Sequence, residues 1–292
     1  MLDFIKYSRF KFRDYRKPCV PKGPNFSSAK TYKYRLQGSA ISFKAPKQIH
    51  LFRPNSEQFT SNWKDDDLRD LKITEIDTFN DSWASSTILT RKYALFGPWF
   101  TGELARADLF LAAICPAKEP KNLNFLHPRA FETAISGYLT ADYGCMKSED
   151  GSADFKGPLG WEPIRGFPVP AARFSVESEC WDSRNILFCF PVSSNRILMF
   201  HFSFDQSAAG TFEEVDAIIS PEPAQNLIEN IINSIEFSPS PELEKELAEL
   251  RKTCPDLSVS KDFPPLKWPA TVDETGLNIV ELNAERRKAL AG

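Results

Sequence analysis

The chain has 292 residues, with 36 Lys plus Arg against 39 Asp plus Glu and a formal net charge of −3, and its 42 % hydrophobic and 26 % charged fractions argue against a disordered or fibrous protein. A chain this long buries a core without disulfide or metal staples. Phe is abundant at 24 while Gly is scarce at 13 beside 22 Pro, a bias toward half-buried sheet that leaves few residues for glycine-built phosphate loops.

The opening stretch, residues 1–37, reads as a basic N-terminal arm, its prolines Pro18, Pro21 and Pro24 bracketing a short loop. Lys6, Arg9, Lys11, Arg13 and Arg16 alternate there with Phe4, Tyr7, Phe10, Phe12 and Tyr15. Residues 1–53 carry a net +11, so the remainder carries −14, and such asymmetry points to a charged contact. Three contacts fit: the acidic remainder of the same chain, an acidic protein partner, or an anionic polymer or lipid surface. Nucleic-acid stacking uses the same mixture of rings and cations, but the net acidic pI of 5.8 weighs against a dedicated nucleic-acid binder. The charges in this stretch leave no apolar run for a signal peptide, and the longest apolar run elsewhere, Leu109 to Cys115, is far short of the roughly 20 residues a bilayer requires. The expectation is a cytoplasmic, bacterial protein with no transmembrane segment.

A core domain is expected over 38–240. Ile41-Ser42-Phe43 reads as a short strand before Pro46, with Ile49 to Phe52 as another. The acidic stretch Glu57 to Asp81 includes Asp65-Asp66-Asp67, which lacks the glycine and distal glutamate of a calcium loop and reads as a solvated turn. Strands follow at Thr87–Leu89, Tyr93–Phe100 and Leu104–Cys115, with Thr101-Gly102-Glu103 as a hairpin turn. Pro128 to Asp142 places Phe131, Ala134, Ile135, Tyr138 and Leu139 at helical spacing. Ser148 to Pro170 is rich in glycine and proline and reads as a loop; Trp161 and Arg165 within it are candidate binding residues, because a large ring in a polar loop suits a partner. Ala172–Val176, Asn185–Phe190 and Arg196–Phe204 read as strands. The last is apolar on both sides near its start, so it belongs at the centre of the sheet.

Ser220-Pro221 opens a helix with Leu227, Ile228, Ile231, Ile232 and Ile235 on one stripe. Residues 241–292 read as a C-terminal helix and a proline-rich strap packed on the core, with Phe263 to Pro269 extended and a short helix near Ala284 to Leu290. The fold class expected is α+β: an antiparallel sheet flanked by helices, with N- and C-terminal extensions.

The order of elements, with Ile41-Ser42-Phe43-Lys44-Ala45-Pro46 opening the domain and Ile231-Ile232-Asn233-Ser234-Ile235-Glu236-Phe237 ending it, resembles the PsbP-like α+β group over about residues 38–240. That resemblance implies a non-enzymatic binding scaffold and carries over no catalytic residue.

Catalytic signatures are absent: neither HExxH, GxSxG, a P-loop nor GxGxxG occurs. Six cysteines without CxxC or zinc spacing read as reduced thiols, so no metal and no cofactor is expected. The strongest residual constellation is Cys189 with His201 on adjacent strands, needing an orienting acid such as Asp182 or Glu177 and an exposed thiolate. Glu177, Glu179 and Asp182 also pose as a glycosidase pair. Trp83, Trp99, Trp161 and Trp181 are amphipathic anchors. The favoured function is a non-enzymatic protein-binding protein, chaperone-like or an immunity-type partner of another protein. A small hydrolase with a Cys–His site is the first alternative, and an anionic-polymer or membrane-surface binder using the arm is the second.

Overall fold

The computed structural model describes residues 6–15, 17–47, 69–70, 77–78, 83–117, 124–144, 154–178 and 183–261. In chain order these form β1 (Lys30–Leu36), β2 (Ser39–Ala45), β3 (Arg69–Asp70), β4 (Asp77–Thr78), β5 (Trp83–Phe96), β6 (Glu103–Pro116) and α1 (Pro128–Asp142). Then come β7 (Phe155–Pro163), β8 (Ala172–Ser178), β9 (Ser183–Ser193), β10 (Arg196–Gln206), α2 (Phe212–Ile218), α3 (Glu222–Asn233), β11 (Glu236–Ser238) and α4 (Pro241–Thr253). The class is α+β.

Seven strands make the main sheet in the order β4-β5-β6-β10-β9-β8-β7, and four make a smaller one in the order β11-β2-β1-β3. All pairings are antiparallel except β1 with β3. β10 lies between β6 and β9 at the centre, and its two faces feed two cores. Leu198, Phe200, Phe202 and Phe204 meet the small sheet, α3 and α4, with Phe43 edge-on to Phe200 at 5.1 Å. Ile197 and Met199 meet α1 on the opposite face. Each layer forms because its apolar positions follow the period of its element, two along strands and 3.6 along helices.

Two segments differ from the sequence reading. Lys30–Leu36, inside the stretch read as an arm, is a core strand: Tyr32, Tyr34 and Leu36 are buried while Lys33 and Arg35 point away. The outward cations hide the alternation. It joins β2 through Gln37 and Gly38, both at positive φ, the geometry a two-residue hairpin requires. Residues 155–163, read as loop, form edge strand β7, with register breaks after Lys156 and Leu159. Proline and glycine are tolerated there because an edge strand needs only one paired side, and bulges absorb the irregularity. The strand read at 49–52, the Asp65–Asp67 run and the tail from 262 onward lie outside the described residues. No helix among the described residues is long and apolar enough to cross a membrane.

Candidate functional site

Cys189 and His201 sit on adjacent strands as expected but are not brought together. The register sets Cys189 opposite Met199 and His201 opposite Leu187, making them diagonal neighbours, roughly 7–8 Å apart. His201 Nε2 instead lies 2.9 Å from Asn185 Oδ1, and the ring leans on Phe110 at 5.9 Å. Desolvation lowers the His201 pKa to about 4, so the half-buried imidazole is neutral. The Cys189 thiol is buried in the α1 core, and burial pushes its pKa up; an activated nucleophile needs exposure and a nearby positive charge. Asp182 and Glu179 lie outside the described residues. Glu177 follows Val176 on β8, pairs with Arg184 and points to the opposite face from Ala172, the residue paired with Cys189. His127 caps α1, its Nδ1 accepting from the Arg129 amide at 3.2 Å, and His50 lies outside the described residues. Among the described residues no group of three His, Cys, Asp or Glu side chains is arranged to hold a metal.

The arm presents a different arrangement. It runs along the β5–β6 turn, Lys6 O accepting from the Trp99 amide. The Phe12 amide donates to Phe100 O at 2.8 Å, and Lys22 and Phe96 exchange backbone bonds at 2.8 and 2.9 Å. Cys19 and Ser220 N–H groups then tie the arm to the α2–α3 junction. The turn itself is strained, with Trp99 and Phe100 at φ of 54° and 67°, a region that bulky residues rarely enter. Gly102 has φ +76°, and a Cβ there meets Lys11 Cβ at 2.9 Å, so glycine lets the arm approach.

This packing turns side chains outward. Among the described residues the exposed large apolar side chains are Phe10 (58 %), Phe12 (77 %), Val20 (56 %) and Trp99 (47 %), all on the arm or the turn beneath it. Phe10 stacks on Phe12 at 6.1 Å and Phe12 meets Phe100 edge-on at 5.6 Å. Cations are interleaved: Lys6 over Tyr7 and Trp99 at 5.2 and 6.0 Å, Arg9 over Phe10 at 5.8 Å, and Lys22 over Tyr7 at 5.5 Å. Lys11 pairs with the exposed Asp14 at 3.0 Å, and Arg13 is exposed nearby. A cleft of about 750 Å³ opens between Phe12, Arg13, Lys17 and Trp99. Of the arm residues expected to bind, Lys6, Arg9, Lys11 and Arg13 therefore share one patch; Arg16 lies outside the described residues. What the sequence did not reveal is that Trp99, 90 residues from Arg9, completes it.

Trp161 and Arg165 lie elsewhere, around a cleft of about 620 Å³ between α1 and the segment after α4, which Arg165 lines. Trp161 stacks on Phe174 at 5.3 Å and its indole N–H donates to Ser260 O at 2.8 Å.

The fold thus defines an α+β protein whose interior is packed and whose exposed rings gather at one end of the β5–β6 hairpin. No family model, curated protein or solved structure matches the chain.

Proposed function

We propose that this is a non-enzymatic, cytoplasmic, bacterial binding protein, chaperone-like or an immunity-type partner, that takes an acidic segment of another protein on the arm and the β5–β6 turn. The observation that carries the reading is the gathering of the exposed Phe10, Phe12 and Trp99 with Lys6, Arg9 and Arg13 in one cation-rich patch. Contiguous exposed apolar surface on a monomer marks an interaction site, aromatic side chains and arginine supply most binding energy at such sites, and the positive charge selects an acidic partner and speeds its approach. The sequence likeness to PsbP-like scaffolds, carried by the segments 41–46 and 231–237, points to the same class. The cysteines among the described residues, Cys19, Cys115, Cys189 and Cys254, are free thiols, which suits a reducing compartment. The hydrolase alternative has less support, because Cys189 is buried and that burial raises rather than lowers its pKa.

The test is capture on the immobilised full chain from bacterial lysate, alongside a Phe12→Ala/Trp99→Ala variant and an Arg9→Glu/Arg13→Glu variant. An acidic protein retained in near-equal amount by the native chain, lost by both variants and released between about 50 and about 300 mM salt is the expected result. Equal retention by the variants overturns the reading. Binding of phosphatidylserine vesicles or single-stranded DNA that depends on the same residues, with no protein retained, assigns the patch to an anionic surface instead.

A further inference from the structure

The chain beyond α4 is held in an unusual way. After Cys254 caps the helix, residues 255–261 make no backbone–backbone hydrogen bond to the body among the described residues. Side chains hold them instead. Every polar group of Ser260 is taken by one: its N–H donates to the buried Glu132 carboxylate, its carbonyl accepts from the Trp161 indole at 2.8 Å, and its hydroxyl accepts from Arg129 at 2.7 Å. Arg129 also pairs with Glu132 at 3.3 Å, so the acid and the base fix each other. One residue earlier, Val259 is buried in the α1 core with Trp161 packed against it.

Main-chain groups read by fixed side chains, with a pocket for one apolar side chain, are how grooves recognise extended peptides. Two further features separate this groove from a simple resting place for the chain's own strap. The strap underfills it, leaving the 620 Å³ cleft beside Ser260. It also leaves positive charge in surplus: Arg129, Arg165 and Lys261 line that cleft against the two carboxylates Glu132 and Asp256.

We propose that the groove between the first turn of α1 and β7 is a peptide-docking site, held in cis by residues 257–261. Its ligand class is an extended protein segment carrying a small apolar residue, then Ser or Thr, then an acid. The apolar residue fills the Val259 hole, the hydroxyl residue takes the Glu132, Trp161 and Arg129 contacts, and the acid faces the arginines where Lys261 now lies. This site is independent of the arm patch, about which its success or failure says nothing.

Two labelled peptides test it by fluorescence anisotropy: one copying residues 255–261, and one identical except for Glu in place of Lys261. The full chain with Val259→Asp, which expels the strap, binds the acidic peptide at least about tenfold more tightly than the copy and more tightly than the native chain does. Adding Trp161→Phe, which keeps the ring and removes the donor, weakens binding by about tenfold, the weight of one lost hydrogen bond to a buried site. A folded Val259→Asp chain that binds neither peptide overturns the proposal. Should that variant not fold, Lys261→Glu in the otherwise native chain decides: subtilisin cleavage within 255–260 slows severalfold if the acid meets the arginines, and an unchanged or faster rate overturns the proposal.

Discussion

Cys189 and His201 show how a single pairing register separates chemistry from packing. A step of two residue pairs along the β9–β10 ladder keeps the thiol and the imidazole on the same face yet gives each a different partner, Met199 and Leu187. Alkylation at neutral pH should therefore label the half-buried Cys19 and Cys254 in the folded chain, and Cys189 only after unfolding; peptide mass mapping at early times reads this directly. Two half-buried groups, His201 and Asp142, set opposite pH responses. His201 titrates near 4 in the fold, below its ordinary 6.5, so the unfolded chain takes up a proton the native chain refuses and stability falls as pH drops through that window. Asp142 titrates near 6, above its ordinary 3.8, chiefly through desolvation. It protonates first in the native state, so stability rises as pH falls from about 6, and the charged form is a penalty at neutral pH. Asp142→Asn keeps an oxygen for the Tyr138 hydroxyl and removes that penalty. Urea unfolding should show a gain of roughly 1–2 kcal/mol at pH 7, discounted for partial exposure, and a smaller gain at pH 5. Strand alternation made the neighbourhood of Cys189 and His201 legible in the sequence; the register that parts them was not, because a ladder fixes it only once both strands are paired.

At the scale of elements, legibility followed the cleanness of the period. α1 was bounded correctly at Pro128 and Asp142 because Phe131, Ala134, Ile135, Tyr138 and Leu139 repeat without interruption. β1 was concealed by its outward cations, and β7 by glycine and proline at an edge. α2 was overlooked although Thr211 and Glu214 form a capping box, a four-residue signal that a seven-residue helix hardly reinforces. One weakness in α1 is open to repair: Gly137 sits mid-helix, and a Cβ there meets Trp83 Cζ2 at 3.5 Å, an ordinary contact. Gly137→Ala should add about 0.5–1 kcal/mol by helix propensity, raising the melting temperature by roughly 1–4 °C. The turn glycine behaves oppositely. Gly102→Ala forces a side chain into positive φ against Lys11, so it should detach the arm and speed tryptic cleavage at residues 9–17 severalfold while the core melts at nearly the same temperature.

Across the whole molecule, a seven-stranded sheet spends both faces on packing and leaves the exposed rings to what is attached to its ends. The basic arm and its interleaved Phe10 and Phe12 were visible in the sequence; the rest of the aromatic patch was not, because Trp99 and Phe100 come from a turn that only the β5–β6 pairing carries to the arm. The claim that this composite patch, and not the interior, does the protein's work is most directly tested by photo-crosslinking. With a benzoyl-phenylalanine in place of Phe12, irradiation in the native cell should yield one discrete adduct to an acidic protein. Excess unmodified chain should compete the adduct away, and Arg9→Glu/Arg13→Glu should abolish it. No protein adduct at Phe12, or one indifferent to those charge reversals, would contradict the account.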